Sequence, residues 1–232
     1  FSRGTGAFSC EHVLHRSGGV VRAVRTSGPM YRKAVNHLKR VDPKLAKVIA
    51  RVGPCRFGRI NDHTHFYHLV RAIVYQQLSW KAAATIHRRF IELFDSSTPR
   101  PETVAAESEE RLRSAGLSRQ KASYIKDLAR KVADGEIPLD GIDALPDHEV
   151  IEVLTKVKGI GVWSAQMFLM FRLGRPDVLP VLDLGIRKGV QLTFGLRSMP
   201  SPKRVLKIGK PWSPYSTIAS WYLWRSLDGP AG

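Results

Sequence analysis

Two short stretches of this 232-residue chain place binding or reactive groups at spacings that invite chemistry. In the first, Lys158-Gly159-Ile160-Gly161-Val162, two glycines stand between two helical patterns. Glycine permits positive φ and close backbone approach, so the stretch predicts a tight helix–helix turn. Leu154 ends the first helix, Val157 and Ile160 face inward across the turn, and Val162 opens the second. The first N–H groups of that second helix are unpaired and its dipole points outward. They can hold a phosphate without any side chain, and Lys158 adds a charge. An ordinary αα-hairpin shows the same pattern, and Gly-x-Gly alone does not separate the two readings.

In the second stretch, Asp183 precedes the apolar pattern of Leu184–Phe194. An acid in that place is by itself an N-cap. The histidines His63, His65 and His68 cluster in sequence, but they form no i, i+4 pair and have no cysteine nearby, so they do not predict a metal site. Only Cys10 and Cys55 occur, too few for a disulfide scaffold, a four-cysteine zinc site or a four-cysteine iron–sulfur cluster. That cysteine usage predicts a reducing, intracellular setting.

The elements that must position these groups are helical. Helices are predicted over Met30–Arg40 and over Pro43–Val52, the latter with Asp42 as cap and proline at its first position. Phe66, Leu69, Ile73, Val74 and Leu78 form a stripe at helical spacing ending near Ser79. Ser79, Ser108 and Ser118 cap the patterns that follow, the last two opening Glu109–Ala115 and Arg119–Ala133. Asp147 opens a helix through Lys156. Strand-like alternation is scarce, and the class is all-α. Phe1–Gly28 is Ser-, Gly- and Arg-rich with one acid, Glu11, and reads as a disordered leader whose composition is that of an organelle transit peptide.

Charge narrows the partner. Lys and Arg total 37 against 20 Asp and Glu, a formal net charge of +17. Such an excess favours a polyanion, nucleic acid before membrane. Residues Leu184–Lys210 hold seven basic side chains (Arg187, Lys188, Arg197, Lys203, Arg204, Lys207, Lys210) and no acid, which predicts a phosphate-facing surface. No apolar run is long enough to span a bilayer. The aromatic segment Pro214–Trp224 has the spacing of core.

The segment Leu154–Ala165 resembles the helix-hairpin-helix of the large base-excision DNA glycosylase superfamily. There the hairpin is followed by a Gly/Pro-rich loop and an essential Asp, matched here by Gly174-Arg-Pro-Asp-Val-Leu-Pro-Val-Leu-Asp183-Leu-Gly-Ile-Arg187-Lys188. The wording Leu-Pro-Val-x-Asp-Leu-Gly-Ile-Arg-Lys resembles the alkylpurine (3-methyladenine II) branch. So do Ile73-Val-Tyr-Gln76-Gln77-Leu-Ser79, Ala115-Gly-Leu-Ser-Arg-Gln-Lys121 and Trp212-x-Pro-Tyr215 with Trp221-Tyr-Leu-Trp224. The resemblance runs from about Met30 to Leu227.

The resemblance implies a two-lobed all-α fold, with a helical lobe over 62–173 carrying the hairpin, a second lobe from 29–61 plus 174–232, and the active site in the cleft. It implies Asp183 as the catalytic carboxylate of a monofunctional N-glycosyl hydrolase that releases alkylated purines and leaves an abasic site. Members that also cut the backbone carry a nucleophilic lysine just after the hairpin, where this chain has Trp163. A base alkylated at N3 or N7 is already cationic, which fits the lack of an evident general acid and implies a π-rich pocket. Trp163 and Trp224 match pocket positions of the family, and Met167 stands where a bacterial relative has an aromatic. Lys158, Gly159, Gly161, Val162, Ser164, Arg187 and Lys188 are the implied DNA-binding residues, with Gln77 or Leu78 as the wedge filling the gap left by a flipped nucleotide. The implied partner is double-stranded DNA with that nucleotide extruded, bound by a monomer without cofactor, catalytic metal or membrane. A non-catalytic DNA-binding protein and a bifunctional glycosylase/lyase, for which Lys158 lies poorly placed before the glycines, are the alternatives.

Overall fold

The computed structural model describes residues 29–60 and 62–228. The basic leader, with Cys10, lies outside them. Helices joined by turns make up the described residues, and no strand occurs among them. None of these helices is long and apolar enough to cross a membrane. The chain divides into two compact units, one of residues up to Ile60 together with those from Gly174 onward, the other spanning Asn61–Leu173.

The discontinuous unit contains α1 (Pro29–Val41), α2 (Pro43–Val52), α10 (Leu184–Phe194), α11 (Pro202–Gly209) and α12 (Ser216–Arg225), with a 3-10 turn at Lys210–Trp212. Its centre is α12. Every residue from Ser216 to Trp224 is buried, so this helix is enclosed all round, with α1, α2 and α10 packed on it. Close approach by α10 requires Gly189, where a Cβ would stand 2.8 Å from the Leu223 carbonyl oxygen. At the start of α2 the Asp42 carboxylate accepts from the Lys44 and Leu45 amides at 3.0 Å and from the buried Trp212 indole at 2.8 Å. One cap residue thus also satisfies a buried N–H.

The continuous unit contains α3 (His65–Tyr75), α4 (Trp80–Ile91), α5 (Pro101–Ala106), α6 (Glu109–Ser114), α7 (Arg119–Ala133), α8 (Asp147–Thr155) and α9 (Val162–Met167). Here α7 is central, packed on α3, α5 and α6. Ser79, Ser108 and Ser118 cap their helices as their side chains accept from the third residue on. Beyond α9 the helix widens into π turns over Phe168–Leu173. From there Arg172 donates to the Asp62 and His63 carbonyls (3.0 and 2.7 Å) and to Nδ1 of His65 (3.0 Å). With Nδ1 accepting, Nε2 of His65 carries the proton and donates to Asp143 at 2.9 Å. The histidine cluster therefore holds the chain entering α3 against the end of the hairpin helix.

The candidate active site

The hairpin comprises α8, a turn over 156–161 and α9. Val157 and Ile160 are buried in the turn, as their spacing predicts. The two glycines differ. Gly159 has φ +81°, and a Cβ there would lie 2.1 Å from the Tyr124 ring, so both backbone conformation and packing exclude a side chain. Gly161 has φ −98° and ψ 176°, ordinary extended backbone, and a Cβ would meet no protein atom within 4 Å. The expectation that both glycines serve the turn is therefore corrected: the fold needs Gly159 and leaves the space at Gly161 open.

Asp127 and Gln76 hold this turn directly, and Lys121 holds the backbone at Gln76. Asp127 on α7 accepts from the Lys158 amide at 2.9 Å and pairs with Lys131 at 3.1 Å. Burial pushes the Asp127 carboxyl up, but the Lys158 amide and the Lys131 ammonium outweigh it and hold the group below its ordinary value. Gln76 donates to the Gly159 carbonyl at 2.8 Å. Lys121 in turn donates to the Val74 and Gln76 carbonyls at 2.7 and 2.6 Å, and burial lowers its pKa. The side chains of Lys158 and Val162 are exposed, and those of Trp163, Ser164 and Met167 are half-buried. Helix α3 ends at Tyr75, so Leu78 does not continue its apolar stripe but sits half-buried in the following turn. Gln77 is exposed there in the left-handed region, at φ +56°. That conformation is costly for a residue with a side chain and marks a turn over-determined by its surroundings.

In the other unit Asp183 caps α10, its Oδ1 accepting from the Ile186 amide at 2.8 Å. The same oxygen accepts from the Trp224 indole N–H at 2.9 Å. Between them is Gly185, where a Cβ would come within 2.9 Å of the indole and 3.0 Å of Oδ1. The carboxylate is half-buried, flanked by the exposed Leu182 and Leu184. Trp224 is only 7% exposed, so it offers a proton to the carboxylate rather than a broad ring face. Arg187 spends its Nε on the Pro200 carbonyl at 2.9 Å, while Lys188 is exposed and reaches Gln191 at 3.2 Å.

The loop leading to Asp183 is stapled to the opposite end of the same helix that carries Trp224. Asp177 accepts from the Ser213 and Ser216 hydroxyls at 2.6 and 2.5 Å and from the Ser216 amide at 3.1 Å. Burial raises the Asp177 carboxyl, but these donors more than compensate and lower it. Thr217 donates its hydroxyl to the Arg175 carbonyl at 2.7 Å and accepts from the Val178 amide at 3.0 Å. Sequence reasoning missed this latch. Its only signal was the Ser213-x-x-Ser216-Thr217 run opening an aromatic helix, and that run does not name its partner loop.

Comparison with known proteins agrees with the fold and hairpin. The model of the HhH-GPD superfamily of base excision DNA repair proteins matches residues 70–214, and the chain belongs to that superfamily. Within it, the chain is 36% identical to DNA-3-methyladenine glycosylase 1 of Schizosaccharomyces pombe, over 84% of this chain and 86% of that one. It is 34% identical to a putative DNA-3-methyladenine glycosylase of Bacillus subtilis over 72% of its own length, and it spans 60% of that relative. A solved structure of the S. pombe 3-methyladenine DNA glycosylase in complex with abasic DNA is 34% identical, with a TM-score of 0.71, covering 83% of this chain and 95% of that chain.

Proposed function

We propose that the protein is a monofunctional DNA glycosylase that hydrolyses the N-glycosidic bond of alkylated purines and leaves an abasic site. The observation that carries this reading is the Asp183 carboxylate, fixed through one oxygen by the α10 amide and the Trp224 indole. In the proposed reaction the C1′–N bond breaks, its electron pair neutralises the cationic base, and positive charge develops on the sugar. Asp183 stabilises that charge, and water adds at C1′ while losing its proton to the carboxylate. Trp224 orients Asp183. Trp163 and Met167 supply the surface for the cationic base. They belong to a different unit from Asp183, so their joint action on one nucleotide is part of the proposal.

The hairpin holds the DNA backbone. The N–H groups opening α9, the space beside Gly161 that no protein atom fills, and the exposed Lys158 and Val162 with neighbouring Ser164 support a phosphate contact there. Gln77, exposed on its left-handed turn, is the residue proposed to fill the gap left by the extruded nucleotide. The relatives named for 3-methyladenine support the substrate class. An indole at Trp163 supports water rather than an amine as nucleophile.

The test is incubation with duplex DNA containing 7-methylguanine or 3-methyladenine, comparing the parent with Asp183→Asn. Base release without strand cleavage is expected, slowed at least about 100-fold in the variant, with DNA binding retained. Equal release by both proteins overturns the role of Asp183. Borohydride trapping of a covalent adduct replaces hydrolysis with lyase chemistry.

A further inference from the structure

The positive charge of this chain is not shared between its two units. The described residues of the hairpin unit hold fifteen Lys and Arg and fifteen Asp and Glu. Those of the discontinuous unit hold eighteen Lys and Arg and four acids. The four acids are engaged: Asp42 and Asp183 cap helices and accept from indoles, Asp177 holds the loop latch, and Asp228 pairs with Arg225. The neutral unit compensates its surface with ion pairs such as Arg88–Glu92, Arg111–Glu107 and Arg130–Asp134. The basic unit lacks the acids to do the same.

The excess is densest on α11. Only Val205 and Gly209 of that helix are buried, whereas Lys203, Arg204, Leu206 and Lys207 are exposed. Lys203 and Lys207 stand at i and i+4 on the helix, and Lys210 follows at i+7 where the 3-10 turn begins, a stripe about 10 Å long. None of them makes an ion pair among the described residues. Segregating like charges costs folding free energy through self-repulsion, and a polyanion relieves it.

We propose that the outer face of α11, with Lys203 and Lys207 and continued by Lys210 at the start of the 3-10 turn, is a second DNA-backbone contact, separate from the hairpin and supplying much of the sequence-independent affinity. The occupant is duplex DNA, which presents one phosphate per 3.4 Å of axis on each strand, so the stripe spans about three. The hairpin, in a unit without net charge, then contributes placement through backbone N–H groups, and α11 contributes counterion release. This inference rests on the reading of the protein as a DNA enzyme.

The test measures affinity for an undamaged duplex as a function of salt, for the parent, for Lys203→Gln/Lys207→Gln/Lys210→Gln, and for Arg88→Gln/Arg111→Gln/Arg130→Gln. The α11 triple should lower the slope of log K against log salt by about 2 to 3, with single-turnover base release at saturating enzyme within about twofold of the parent. The paired-arginine triple, which removes the same charge, should leave the slope unchanged. An unchanged slope in the α11 triple overturns the proposal, as does an equal loss in both triples. Binding of heparin without binding of duplex DNA overturns it too. A parent that binds DNA with the expected slope but releases no base refutes the glycosylase reading and leaves this contact standing.

Discussion

The Trp224 indole donates its N–H to Oδ1 of Asp183 at 2.9 Å, across 41 residues of chain. The oxygen that caps α10 is therefore the one the core helix α12 also holds, and the carboxylate has its direction set from two sides. Trp224→Phe keeps most of the buried ring and removes the donor. A hydrogen bond to a charged group contributes about 1.5–3 kcal/mol, so base release should slow roughly 10- to 100-fold. Single-turnover release with unchanged duplex affinity is the expected pattern. A rate equal to the parent's would show that the α10 cap alone orients the acid.

Gly185 fills the narrow space beside that pair. In Gly185→Ala the new Cβ, 2.9 Å from the indole and 3.0 Å from Oδ1, must move one of them. Over-packing of this kind costs about 1–3 kcal/mol. Base release should fall about 10-fold or more while DNA affinity changes little. Crystallography of the variant should show a longer Asp183–Trp224 separation.

The two hairpin glycines should separate stability from binding. Gly159→Ala forces a side chain into positive φ and into the Tyr124 ring, a combined cost of about 2–5 kcal/mol. Its Tm should drop by roughly 5–15 °C. Gly161→Ala meets no protein atom and sits on extended backbone, so its Tm should stay within a degree or two while affinity for duplex DNA falls. Equal thermal losses in the two variants would contradict the difference in their surroundings.

Buried histidines make the fold sensitive to acid. Burial drives His87 down to about 3, with Arg71, His68 and His63 adding to the shift, and burial likewise drives His68 down to about 4. The unfolded chain takes up these protons near pH 6.5 and the folded chain does not, so stability is fully present above that pH and falls as pH drops toward the folded values. Each such histidine adds a slope of about 1.4 kcal/mol per pH unit in this window. His87→Phe should remove about one proton's worth of that slope between pH 6 and 4 in urea titrations. Unchanged slopes would show that His87 is protonated in the native state.

Local signals in the sequence were enough to place much of this molecule. Pro43–Val52 and Leu184–Phe194 were set by their capping acids and apolar periods, and the turn between Thr155 and Val162 by its glycines. Asp183 was legible as a helix cap because an N-cap is read within three residues of itself. What α12 does to that acid was not legible. The Trp224 indole, the Asp177 latch and the Gly185 gap are contacts between segments whose approach depends on packing. The same holds for the glycines, alike as letters, of which one is demanded by an aromatic ring on α7 and the other faces open space. The net positive charge was visible from composition, but its confinement, among the described residues, to one unit was not. That confinement arises because residues 29–60 fold with those after Gly174, joining two acid-poor segments that the chain keeps more than a hundred residues apart.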